Sequence, residues 1–247
     1  MTANEMADNL LIQLDRAASG GSPGYEDVEL SAILTKAQYH FVKSIISPLT
    51  NMKREGMEES EVRNQGLSAL TTATSLTPSI AASNNLTNGV FVNLPEDFML
   101  SILEQAVITK LDCNSVPLTV PVWVISHNEY NQLVSNPYKK PFAKKYEGLI
   151  WRLQIGREND GNLSIASQTA KRHELVTDGT FSVTTYKLRY LKTPPKIVVD
   201  FSNTALQRHC ILDEATHEAV IEIAVKMLKT ITDRQVIPNI QSIENIE

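Results

Sequence analysis

His209, Cys210 and His217 are of the types that ligate zinc, and Cys113 is the only other thiol in the chain. Structural zinc sites draw on short, regular spacings of Cys and His. The adjacent His209–Cys210 pair followed by His217 matches none of them, and a fourth ligand would have to come from far away. The expectation is therefore no metal, with Cys113 and Cys210 as small buried thiols, not a disulfide. His127 and Glu129 lie two residues apart, so on a helix they would not share a face, and HNEYN is not HExxH. The carboxylate pairs Glu58–Glu59 and Glu96–Asp97 sit beside possible helix starts, where capping accounts for them. No GxSxG elbow or Gly-rich phosphate loop is present, and Ser44, Ser47 and Ser83 lack neighbours that would activate them. These residues predict no enzyme, no catalytic group and no cofactor.

The stretch HNEYNQLVSNPYKKPF, residues 127–142, concentrates more polar and aromatic side chains than any of these. Ser126 and Glu129 form an S-x-x-E capping box that starts a short helix at about 127–135. Asn136 ends that helix and Pro137 forbids its continuation. PYKKPF then reads as a stiff, extended arm with little entropy to lose on docking. The candidate subunit or ring contacts are Tyr130, Asn136, Tyr138, Lys139, Lys140, Phe142, Lys144 and Lys145.

Nucleic acid is the rival partner for this arm. Lys139, Lys140, Lys144, Lys145 and Arg152 face only Glu147 in sequence, and Tyr138, Phe142, Tyr146 and Trp151 are interleaved with them. Such a mixture can hold single strands by phosphate pairing and stacking. Against it stands a net charge of −5, since dedicated nucleic-acid binders carry a basic footprint. A solvated connection, or an acidic protein partner, fits an acidic chain better.

These residues need elements to hold them. NEMADNLLIQLDRAA, YEDVELSAILTKAQYHFVKSII and MEESEVRNQGLSALTTA carry helical periodicity. The second places Leu30, Ile33, Leu34, Ala37, Phe41 and Ile45 on one face, and the third offers Val62, Leu67 and Leu70. Residues 71–88, rich in Thr, Ser and Asn, read as loop or linker. Beyond them β-branched and aromatic residues set the pattern, with strands expected at 89–94, 117–125, 149–156, 162–167 and 181–192. Residues 97–111 fit helix or strand equally. TPPKIVVDF predicts a turn into a short strand, and the Asp-Gly pairs in ENDGN and TDGT are hairpin cues. A final helix follows Asp213, with Val220, Ile221, Ala224, Met227, Leu228 and Ile231 as its stripe.

The fold class is thus α+β. A helical bundle (residues 1–75 with 205–247) is joined through a flexible linker at 76–88 to a central antiparallel β-rich sandwich or barrel-like domain at 89–204. No apolar run approaches the ~20 residues of a membrane span. The acidic amino terminus does not read as a secretion signal, so a soluble chain in a cytoplasm-like compartment is expected.

Several stretches, in order, resemble the ring proteins that connect head to tail in crAss-like tailed bacteriophages of gut Bacteroidetes. They are YEDVELSAILTKAQYHFVKS, EESEVRNQGLSAL, VWVISHNEYNQLVSNPYKKPF, LIWRLQI, TTYKLRYLKTPPKIVV and CILDEATHEAVIEIAVKMLKT, spanning roughly residues 25–230. The resemblance implies a non-enzymatic virion protein assembled in the bacterial host cytoplasm. It would form a homo-oligomeric, twelve-copy ring stacked beneath the portal, contacting portal and neighbouring ring or tail proteins. Genomic DNA would pass through its channel without sequence-specific contact. The alternatives are another oligomeric capsid or tail assembly or head-completion protein, or a nucleic-acid-binding module.

Overall fold

The computed structural model describes residues 1–17, 24–47, 61–79, 86–110, 116–144, 147–157 and 171–232. The chain divides into two compact units, Met1–Leu70 with Pro194–Glu247, and Thr71–Thr193.

The first unit holds α1 (Ala3–Ala17), α2 (Asp27–Ile46), α3 (Glu61–Leu67) and, after the second unit, α5 (His217–Thr232). The periodic stripes become packed faces, with Ile33, Phe41 and Ile45 of α2 only half-buried. Met6, Leu10 and Leu14 of α1, Leu30, Leu34, Ala37 and Val42 of α2, and Val220, Ile221, Ala224 and Leu228 of α5 are buried, and α5 packs on both α1 and α2. Glu29 accepts a hydrogen bond from the Glu26 amide at 3.1 Å, closing the start of α2. The third helix ends earlier than its sequence suggests. It tightens into a 3₁₀ turn at Ser68–Leu70 with Leu67 and Leu70 buried, and a strand begins at Thr71.

PPKIVVDF was expected to end in a strand, yet among the described residues only an isolated bridge joins Val198 to Arg208. Its backbone is satisfied by a helix instead. The hydroxyls of Ser31 and Thr35, one turn apart on α2, accept from the amides of Val199 at 2.8 Å and Ile197 at 3.0 Å. Ile197 and Val199 themselves are buried. Buried amides must find partners, and here two helix hydroxyls replace a neighbouring strand.

The second unit is one eight-stranded sheet. It contains β1 (Thr71–Leu76), β2 (Gly89–Asn93), β3 (Phe98–Lys110), β4 (Leu118–Val124), β5 (Phe142–Ala143), β6 (Gly148–Arg157), β7 (Lys171–Val176) and β8 (Phe181–Lys192). The order is β1-β8-β3-β4-β6-β7-β2, with β5 added beside β6. Residues 97–111, ambiguous in pattern, supply β3. Thr71–Leu76, expected as loop, pairs along its whole length with β8. The segments at 162–167 and 158–162 lie outside the described residues.

The expected antiparallel sheet is mixed: β4 and β6 pair parallel. The cause lies between them. The helix α4 (His127–Val134) and the turn after it carry the chain back toward the start of β4 before β6 begins, as a crossover does.

The sheet curls into a half-barrel, not a sandwich. β7 and β8 are separated by three strands in the sheet, yet the His173 Nδ1 and Tyr186 hydroxyl lie 3.0 Å apart across the interior. At the far edges Ser79, just beyond β1, bridges Phe91 of β2 with an amide-to-carbonyl bond of 2.7 Å. TDGT is a tight turn, with Gly179 at φ +87° and Asp178 accepting from the Thr180 amide. It joins β7 to β8, which do not pair, so it is a corner of the half-barrel and not the tip of a hairpin. The concave side is filled by Val92, Ala106, Ile108, Val120, Ile150 and Leu188 among others.

Candidate functional site

The arm at residues 126–143 is built from a cap, a helix, a turn and a strand pair. Ser126 Oγ accepts from the Glu129 amide at 3.3 Å, and Glu129 accepts in return from the Ser126 amide at 3.0 Å. The capping box expected from sequence therefore forms. The Ser126 amide and hydroxyl hold the Glu129 carboxyl below its ordinary pKa, favouring the ionised acceptor.

α4 lies on the convex side of the sheet. Its Tyr130 and Leu133 pack on a second apolar cluster of Ile125, Trp151, Leu153 and Val176. The Tyr130 ring meets Trp151 edge-on at 6.1 Å. Burial and the nearby Glu174 charge push the Tyr130 hydroxyl pKa up. Tyr130 thus serves chiefly as the anchor of the helix.

The extended arm foreseen after Pro137 is compact. The Asn136 side chain accepts from the Tyr138 amide at 3.0 Å and its carbonyl accepts from the Lys139 amide at 3.3 Å. Asn136 thereby caps a turn over Pro137–Lys139, the local chemistry in which Asx side chains mimic backbone. An extended run would have left these groups to water. The turn throws Tyr138 outward, where it is 94% exposed, and Lys139 and Lys140 are exposed beside it. Pro141 is buried, and Phe142–Ala143 then pairs with Gly148–Leu149, so both ends of the turn are pinned. Lys144 lies over the Phe142 ring at 5.4 Å from its centroid. Lys145 and Tyr146 lie outside the described residues.

The structure therefore brings Tyr138, Lys139 and Lys140 together on one exposed turn, with Phe142 and Lys144 at its foot. It removes Trp151 and Arg152 from the basic-aromatic surface, since both are buried.

Arg152 points instead into the half-barrel, in a polar centre that sequence reasoning missed. Its Nε donates to Glu104 Oε2 at 2.9 Å, and Nη2 donates to Glu104 Oε1 and to Ser101 Oγ, the latter at 3.1 Å. Burial pushes the Glu104 carboxyl pKa up, but bonds from Arg152 and Ser101 and the Arg152 charge more than offset it. His173, on the same interior face, is held neutral to about pH 4 by burial and by the Arg152 cation. Burial and Glu104 likewise raise Tyr186. The signal in sequence was a charged run, KRHELV (171–176), which reads as surface but forms β7 with His173 and Glu174 buried.

The zinc-type side chains serve the backbone. His209 Nδ1 accepts from the Ala3 amide at 3.1 Å, and His217 Nε2 donates to the Leu212 carbonyl at 3.1 Å. Cys210 is a buried free thiol whose pKa is raised by burial. Cys113 lies outside the described residues.

The chain is 27% identical to "Ring protein 4/5" of Bacteroides phage crAss001, an alignment covering 93% of this chain and 92% of that protein. Residues 1–238 match the family described as phage tail ring protein 3/4. Because that match runs through both units, the chain belongs to the phage tail ring protein 3/4 family.

Proposed function

We propose that this chain is a non-enzymatic structural subunit of a virion ring stacked below the portal, joining capsid to tail around the DNA channel. The observation that carries this reading is the family match over residues 1–238. A twelve-copy ring is the assembly in which the subunit works, with portal and adjacent ring or tail proteins as its axial neighbours. The turn at Pro137–Lys140 is the axial or lateral contact. It is exposed, doubly pinned and carries a bare Tyr ring, the combination that makes an interface residue effective at low entropic cost.

Replacing Tyr138, Lys139 and Lys140 together with Ala tests the contact. The thermal midpoint should hold within a few degrees, while incorporation into virions falls about tenfold or more. Unimpaired incorporation rejects the turn as a contact. A nucleic-acid module fits less well, because Arg152 pairs with Glu104 inside the sheet and Trp151 lies beneath α4.

A further inference from the structure

α4 covers the convex side over β6 and β7, but the convex side of β1, β8 and β3 presents its own residues to solvent. The pairing registers align Ser75, Lys187 and Gln105 in one row and Ala73, Arg189 and Leu103 in the next. Together they line a shallow groove with small residues along β1, two cations along β8, and Leu103 (44% exposed) on β3. Lys187 and Arg189 are exposed, and neither meets a carboxylate among the described residues.

The same chain carries a surface of opposite character. On α1, Glu5, Asp8, Ile12 and Asp15 recur at steps of three, four and three, which makes one exposed stripe opposite buried Met6, Leu10 and Leu14. Ile12 is 47% exposed in the middle of that stripe. Glu5 accepts from the Thr2 amide at 2.8 Å, while Asp8 and Asp15 meet no cation among the described residues. They are about 10 Å apart along the helix axis. Lys187 and Arg189 are about 7 Å apart along their strand, and their long side chains cover the difference.

We propose that the α1 stripe of one copy docks in the β1–β8–β3 groove of the next, with Ile12 against Ala73 and Leu103 and with Asp8 and Asp15 against Lys187 and Arg189. The two surfaces differ, so the contact is heterologous, the head-to-tail kind that builds a ring when the rotation between copies closes. The inference rests on the ring reading above and adds which faces meet. Two cations beside an exposed leucine make too sparse a footprint for DNA, while an acidic helix with a central isoleucine matches the groove in charge and in its apolar centre.

The test is made in virions, the assembled form. Particles carrying Ile12→Cys with Ala73→Cys are oxidised and separated under denaturing, non-reducing conditions. A ladder of covalent multimers of this chain, missing from either single variant, supports the contact. A chain that remains monomeric in those particles overturns it. Should the double variant yield no particles, charge exchange decides. Lys187→Glu with Arg189→Glu should cut incorporation about tenfold or more, and adding Asp8→Lys with Asp15→Lys should return it to near the starting level. Failure of that rescue overturns the proposal. An amine-reactive cross-linker applied to unmodified virions separates this result from the ring itself. Multimers there without the cysteine ladder leave the ring standing and remove only this interface. Absence of both removes the ring.

Discussion

Glu104 and Arg152 sit on strands separated by β4, and their bidentate bond crosses the concave side of the sheet. Both are almost fully buried, so removing one strands the other charge where water cannot reach it. Arg152→Ala should cost about 3–5 kcal/mol, and Arg152→Met with Glu104→Leu should recover most of that loss. Urea unfolding of the three chains measures both. A small loss in the single variant would show that water enters the centre.

His173 lies beside this pair, facing Tyr186, Arg152 and Glu104. Its folded pKa of about 4 lies below the unfolded value near 6.5, so between those values the unfolded chain binds the extra proton. Stability therefore falls as pH falls through this window, by about 2 kcal/mol between pH 7 and pH 5 from this residue. His217 is depressed in the same direction, by burial first, and adds to the slope. His173→Phe should flatten the pH dependence of the thermal midpoint between 7 and 5. An unchanged slope would contradict a neutral, buried His173.

At the scale of elements, the turn at Pro137–Lys140 depends on the short β5–β6 pair. Gly148 stands opposite Ala143, and a Cβ there would lie 2.6 Å from Val120 Cγ1 and 3.1 Å from the Phe142 carbonyl oxygen. Val120 is buried in the core and the carbonyl is backbone, so neither yields cheaply. Gly148→Ala should destabilise the chain by about 1–3 kcal/mol. It should also raise the proteolytic sensitivity of residues 137–144, the segment that this pair pins. Protection equal to the unmodified chain in limited proteolysis would show that the turn holds without β5.

For the whole molecule, charge is the deciding quantity. A net charge of −5, with Arg152 internally paired, leaves little to neutralise phosphates. The purified chain should not retain linear duplex DNA in a gel-shift assay at physiological salt. Retention there, lost steeply as salt rises, would favour a DNA-binding surface.

Local chemistry was legible in the sequence wherever neighbours along the chain supply the partners. The α2 and α5 helices, the Ser126–Glu129 box, the helix stop at Asn136–Pro137 and the Tyr186–Tyr190 alternation all act within a few residues, and these appear as read. Strand β1 was hidden because the inward face of TTATSL is only half-buried and offers one large apolar residue, Leu76, although its threonines favour strands. β7 was hidden because its buried polar residues find partners more than ten residues away, such as Tyr186 for His173. Only the tertiary structure could decide that β4 and β6 run parallel, that TDGT turns a corner, or that Arg152 leaves the surface for Glu104. Each of these depends on which distant strands become neighbours. That choice is made by the curl of the sheet and its common core, and no local pattern records it.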